Sequence, residues 1–214
     1  MPFFQSGDKQ INIDHYPSGS AGLRPAILLV HGSGGPLRGI DPFARQAAGL
    51  GVHVFVVHYF ERTGHAWVSP GQIEKEFPAW LETVGHAVTY ASQQPGVDGK
   101  RIGLLGFSLG AFLSLALATR DTRIAAVADL FGGLPEHFIA DAGKLPPVLI
   151  LHGEEDTVVP VTQARRLKKL LEENGIPHDT KIYSGQGHHF TGVAQMDAMS
   201  RVAGFFHRYL MNSA

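Results

Sequence analysis

The sequence predicts an α/β protein, a mostly parallel doubly wound sheet with helices on both faces, and three observations carry that expectation. Short apolar runs rich in β-branched residues and leucine recur at 26–30, 52–57, 102–105, 124–127 and 148–151. Continuous runs of this kind fit strands buried on both faces, the condition of a parallel sheet covered by helices. Longer segments with helical spacing separate them, and no internal repeat, low-complexity tract or linker-like shift in composition interrupts the alternation. Strand and helix alternating through 214 residues argue for one α/β domain over 1–214.

Each helix has its own pattern. Phe77, Trp80, Leu81, Val84, Val88 and Ala91 fall on one face of a helix that packs on the sheet. The small apolar stretch 111–118 reads as a buried helix. Val161, Ala164, Leu167, Leu170 and Leu171 repeat the amphipathic spacing, and Asn174-Gly175 with Pro177 beyond supplies a stop. Met196, Met199, Val202, Phe205, Phe206 and Tyr209 describe a last helix.

Composition narrows the function. With 18 Lys and Arg against 19 Asp and Glu, and neither sign gathered in runs, nothing attracts nucleic acid or an anionic membrane, so the expected partner is a small molecule. The absence of cysteine excludes a disulfide framework, a thiol nucleophile and thiolate metal ligands. Residues 1–9 lack the basic and apolar regions of a signal peptide, and no stretch reaches the ~18 apolar residues of a membrane span, so a soluble, cytoplasmic protein is expected. The twelve histidines include no H-E-x-x-H pattern, and no metal or other cofactor is expected.

The chemistry is concentrated in loops that leave the C-terminal ends of strands. The strand ending at Phe107 runs into Gly106-Phe107-Ser108-Leu109-Gly110, and a helix follows. That is the strand–turn–helix setting of a G-x-S-x-G nucleophile elbow, in which Cβ-free residues on either side let strand and helix approach. Ser108 is the candidate nucleophile. The Leu109 N–H is one candidate donor to an oxyanion, and the loop His31-Gly32-Ser33-Gly34-Gly35 after the strand at 26–30 supplies the other, Ser33 first and Gly34 next. This loop fits neither the G-x-x-x-x-G-K-[ST] nor the G-x-G-x-x-G phosphate-binding spacing.

An acid and a histidine should follow the serine in that order. After the strand at 148–151 come Glu154, Glu155 and Asp156, and Asp129 at an earlier strand end is a fourth carboxylate, so the residues themselves leave the acid open. After a strand ending at Tyr183 come His188 and His189, neighbours that cannot both face Ser108; His188 is favoured as base, with His189 lining the pocket or facing solvent.

Three stretches, Val97 through Gly110, Leu151 through Pro160 and Tyr183 through Phe190, together resemble the dienelactone hydrolase family of the α/β-hydrolase superfamily. The resemblance implies an α/β-hydrolase fold, with Asp156 as acid and His188 as base in the family's G-x-x-D and G-x-G-H-x-F loops. It is to a serine variant: family enzymes acting on dienelactone carry Cys at the position of Ser108, and Glu where this chain has His31-Gly32-Ser33, a form closer to esterases. An esterase or lactonase acting through an acyl-enzyme is therefore expected. The alternatives are an acyl-peptidase or thioesterase, and a ligand-binding protein that has kept the fold without turnover. Folds of this kind often insert a lid after the strand that follows the nucleophile helix. Here 130–147 offers only a loop with one helical turn, so no cap domain is expected, and Phe60, Trp67 and Phe190 are expected to wall an open cleft that takes compact substrates.

Overall fold

The computed structural model describes residues 2–36 and 39–211; Met1, 37–38 and 212–214, within the range assigned above to one domain, lie outside it. Among the described residues the strands are β1 (Phe3–Ser6), β2 (Lys9–Tyr16), β3 (Arg24–Val30), β4 (His53–Val57), β5 (Val97–Phe107), β6 (Ile124–Leu130), β7 (Val148–Gly153) and β8 (His178–Tyr183). The helices are α1 (Asp41–Gly49), α2 (Pro70–Ser92), α3 (Leu109–Ala118), α4 (Thr162–Glu173) and α5 (Gly192–Phe206), with a π-helical turn continuing α5 over His207–Met211. None of these helices is long and apolar enough to cross a membrane.

The strands form one sheet in the order β1-β2-β4-β3-β5-β6-β7-β8, antiparallel at the β1-β2 and β2-β4 pairs and parallel from β4 to β8. Both faces are covered. Ala26, Leu28 and Val30 of β3 join a cluster with Trp80 and Val84 of α2, Leu113 of α3 and Leu167 of α4. Their neighbours Ile27 and Leu29 join the opposite cluster with Ala44 of α1 and Val202 and Phe205 of α5. Period-2 alternation between two apolar layers is why these strands read as unbroken hydrophobic runs. The chain moves from β3 to β4 on one side and returns past β3 to β5 on the other, so the C-terminal ends of β3 and β5 flank the reversal point where open α/β sheets bind ligands.

Several elements differ from the sequence expectation. The β1-β2 hairpin was not foreseen, although Ile11 and Ile13 alternate with outward Asn12 and Asp14 and are fully buried. Its two-residue turn places Gly7 at φ +56, as a type II′ turn requires at its first central position. Helix α1 was also missed, because it is short and buries only two alanines, Ala44 and Ala48. Helix α2 starts at Pro70 rather than near Phe77: the Ser69 N–H donates to Gln72 Oε1 at 3.0 Å, and the helix runs through Pro78. The last helix is rotated relative to its expected face. It buries Ala198, Val202, Phe205 and Phe206 and leaves Met196 and Met199 exposed. Apolar spacing alone did not distinguish core methionines from these outward ones.

Candidate active site

Ser108 stands between β5 and α3 with φ 53 and ψ −120, a backbone conformation rare for a residue with a Cβ. Its surroundings over-determine that strain. The Ser108 N–H donates to the Leu130 carbonyl of β6 at 2.8 Å, and the Ala111 N–H donates to the Ser108 carbonyl at 2.8 Å. A Cβ on Gly106 would overlap the backbone of Ala111, and one on Gly110 would overlap the Val30 carbonyl. Only glycines at those two positions let α3 descend onto β5 and β3 and drive the serine outward.

His188 hangs from the loop after β8, and that loop is fastened to the end of β7. The Glu154 N–H donates to the Tyr183 carbonyl and the Glu155 N–H to the Gln186 carbonyl, both at 2.9 Å. The strands' loops approach so closely that a Cβ on Gly153 would overlap the Gly187 carbonyl. In this frame His188 Nδ1–H donates to Asp156 Oδ2 at 2.7 Å, and His188 Nε2 accepts from Ser108 Oγ at 2.9 Å. The carboxylate fixes the tautomer, because an acceptor at Nδ1 leaves Nε2 free to take a proton. Asp156 Oδ1 is engaged as well, by the N–H groups of Val158 at 2.8 Å and Val159 at 2.9 Å. Burial works against its charge, but the bonds from His188, Val159 and Val158 prevail and hold its carboxyl below the usual carboxylate value.

Of the four carboxylates left open by the sequence, Asp156 alone meets the histidine. Glu154 and Glu155 are exposed. Asp129 is fully buried on β6, without a properly formed hydrogen bond to either oxygen among the described residues, and Gly132 N–H is the backbone donor that partly favours its charge. Burial pushes its carboxyl up to about 7. Because the folded protein then holds a proton that the unfolded chain releases near 3.8, this group's stabilisation is complete below that value and is lost as pH rises to about 7. The Asp129→Asn variant should therefore gain stability relative to wild type as pH rises from about 4 to 7, by on the order of 4 kcal/mol. Chemical denaturation of both proteins across that range checks this; a constant difference would show that Asp129 is ionised throughout.

The other predicted residues divide. Leu109 is the first residue of α3, so its N–H has no partner within the helix. Ser33 and Gly34 occupy the corner of a turn closed by the Gly35 N–H on the Gly32 carbonyl at 3.1 Å. The loop lies against the elbow, since a Cβ on Gly32 would stand 3.2 Å from the Ser108 Cβ. Trp67 is exposed beside Val68, whose N–H donates to the Ser33 carbonyl at 3.0 Å. Phe190 is half-buried, its ring 4.4 Å from that of Phe131 and 4.5 Å from that of Tyr183. His189 is exposed. The expectation for Phe60 needs correction: it is 2% exposed and forms no open wall. It belongs to a single 3₁₀ turn over Tyr59–Arg62, and its ring packs inward on those of His31 and Trp80 at 4.7 and 4.9 Å, beneath the loop that begins at His31.

Phe131 was not foreseen. It takes φ 62, an outlier for an aromatic residue, with its N–H on the Leu151 carbonyl at 3.0 Å and its ring 5.3 Å from that of His188. Its only sequence signal is its place just after β6. Among the described residues no group of three or more His, Asp or Glu side chains converges as metal ligands would.

The sequence model of the dienelactone hydrolase family matches residues 14–209. The chain belongs to the dienelactone hydrolase family. It is an α/β hydrolase, and the hydrolytic character of the family extends to it. Among similar proteins is the mouse carboxymethylenebutenolidase homologue (Mus musculus), 30% identical over 125 residues that cover 53% of this chain and 49% of the mouse protein. The fold recurs among solved structures. A putative dienelactone hydrolase from Klebsiella pneumoniae superposes with a TM-score of 0.82 at 20% identity, covering 95% of each chain. The acylaminoacyl peptidase of Pyrococcus horikoshii gives 0.82 at 16% identity, over 99% of this chain and 42% of the peptidase. Within the dienelactone hydrolase family, this chain combines a serine at the elbow with His31-Gly32 after β3.

Proposed function

We propose that this member of the dienelactone hydrolase family is a serine esterase or lactonase, with Ser108 as nucleophile, His188 as base and Asp156 as the acid that orients it. The unbroken path from Ser108 Oγ through both His188 nitrogens to Asp156 Oδ2 carries this reading. Ser108 Oγ attacks the acyl carbonyl as its proton passes to His188 Nε2. Oxyanion charge falls on the Leu109 N–H and a second donor from the β3 loop, Ser33 or Gly34. The C–O bond of the ester then breaks, the alkoxide takes the proton from His188, and water releases the acid from Ser108 by the same steps. A fluorophosphonate probe should label Ser108, and p-nitrophenyl acetate should be hydrolysed. Neither happening would leave a ligand-binding protein on a hydrolase fold, and faster cleavage of aminoacyl p-nitroanilides than of esters would move the assignment to a peptidase.

Substrate size follows from what covers Ser108. Between β6 and β7 the chain forms one 3₁₀ helix over Glu136–Lys144, and its Phe138 and Ala142 are buried. Both belong to the core cluster of α2 and α4, so the segment packs down onto the body of the protein rather than arching over the serine. A methylene adds about 0.8 kcal/mol only where a wall buries it. The specificity constant kcat/KM for p-nitrophenyl esters is therefore expected to peak at short acyl chains and decline by about eight carbons. A steady rise with chain length would point to a lipase or thioesterase instead.

A further inference from the structure

His152, the residue before the last of β7, is fully buried. Its Nε2 lies 2.9 Å from the Val159 carbonyl, an acceptor only, so Nε2 carries the hydrogen and donates it. Nδ1 is then an acceptor, and among the described residues it has no hydrogen-bond partner. The Nε2 atom also stands 3.3 Å from Asp156 Oδ2, the oxygen that receives His188 Nδ1–H. Val159 is thus held on both sides, its carbonyl by His152 and its N–H by Asp156 Oδ1 at 2.9 Å. We propose that His152 is a positioning residue for the proposed hydrolysis, acting through Asp156: it pins the turn that binds Oδ1 and sets the positive end of an N–H bond beside Oδ2, so that the carboxylate keeps the orientation His188 needs.

This assignment rests on the functional reading above. A leucine of similar size, between the β7 backbone and the Phe131 ring 6.1 Å away, would remove the unpartnered Nδ1 but also the donor to the Val159 carbonyl, so its two effects on stability oppose each other. Burying an acceptor without a partner destabilises a fold. The ring thus couples one unpartnered nitrogen to one bond that holds the turn beside the acid. The neutral form is the relevant one, since burial lowers the ring's basicity more than the Val159 carbonyl and the Asp156 charge raise it, and His188 adds to the lowering.

His152→Leu and His152→Gln test the proposal, the latter because its amide N–H reaches the position of Nε2. With p-nitrophenyl acetate, His152→Leu should lower kcat by roughly 10- to 100-fold with KM nearly unchanged, as small misplacements of a reacting group do. Its thermal midpoint should stay near that of wild type, because the unpartnered Nδ1 and the bond to the Val159 carbonyl are lost together. His152→Gln should recover kcat to within about threefold. Proton NMR adds a readout that needs no substrate: the downfield Nδ1 proton of His188 should weaken or shift upfield in the leucine variant and persist in the glutamine one. An unchanged kcat and an unchanged His188 proton in His152→Leu would overturn the assignment, as would equal losses of activity and stability in both variants. If wild type neither hydrolyses the ester nor labels at Ser108, the functional reading fails, and the His188 proton alone decides whether His152 orients the acid.

Discussion

Ser108→Ala is expected to lower kcat by at least ~10³ while leaving the circular dichroism spectrum and thermal midpoint near those of wild type. The size of the loss follows from what is removed. An acyl-enzyme needs an oxygen at this position, and His188 Nε2, which accepts from Ser108 Oγ at 2.9 Å in the wild type, retains only the option of activating a water in the vacated space. Residual turnover should come from the oxyanion donors and from binding, which in serine hydrolases leave a rate still well above the uncatalysed one. The fold should not suffer, because the backbone bonds that hold the elbow, to Leu130 and from Ala111, involve main-chain atoms. Stability is more apt to rise than fall, since alanine at φ 53 carries the same strain without a hydroxyl to satisfy. Steady-state hydrolysis of p-nitrophenyl acetate by the purified variant checks this. Activity within tenfold of wild type would remove Ser108 from the mechanism.

A second large effect is expected at Asp156→Asn, a loss of about 10³–10⁴ in kcat, against less than tenfold at Asp129→Asn. The asparagine amide can present its NH₂ to His188 Nδ1, which then accepts and leaves its hydrogen on Nε2, facing Ser108 Oγ where an acceptor is required. It also places a neutral group where a carboxylate would stabilise the imidazolium of the transition state. Asp129 has no contact of this kind; its carboxyl is enclosed beside Gly132 and Ala111 on the face of β6 that meets α3. Measuring both variants on one ester gives a ranking, and the reverse order would transfer the orienting role from the loop after β7 to the end of β6.

How far the molecule is legible in its sequence depends on whether a property is local. The central strands and the nucleophile elbow are local: Gly106 and Gly110 are placed by the need for α3 to touch β5 and β3, and the chain spells that need out within five residues. The choice among Glu154, Glu155 and Asp156 is not local. All three are carboxylates in one loop, and what separates them is the direction each takes relative to a histidine more than 30 residues away, together with the Val158 and Val159 N–H groups that fasten only one of them. Phe60 was misplaced for a related reason: an aromatic residue in a connecting segment reads the same whether its ring turns outward to substrate or inward beneath His31. Met196 and Met199 fail in the opposite sense, apolar by type and outward by position. No periodicity announces that Phe131 adopts a left-handed backbone, because that conformation is imposed by the β6–β7 junction around it.

The fastening of the His188 loop to the end of β7 divides the candidate site into two mechanical bodies. Asp156 and His188 ride together on the β7–β8 block, joined by the bonds from Glu154 and Glu155, while Ser108 rides on the β5–β6 block through its bond to Leu130. The blocks meet along the seam where Val127 to Leu130 pair with Val148 to Leu151. The separation between Ser108 Oγ and His188 Nε2 therefore acts as a gauge of that seam. A slight sliding or parting of β6 from β7 would leave each block intact and lengthen the one distance on which the proposed proton transfer depends. Substitutions in the β6–β7 interface, remote from Ser108, are therefore expected to change the rate of the proposed reaction before they unfold the protein.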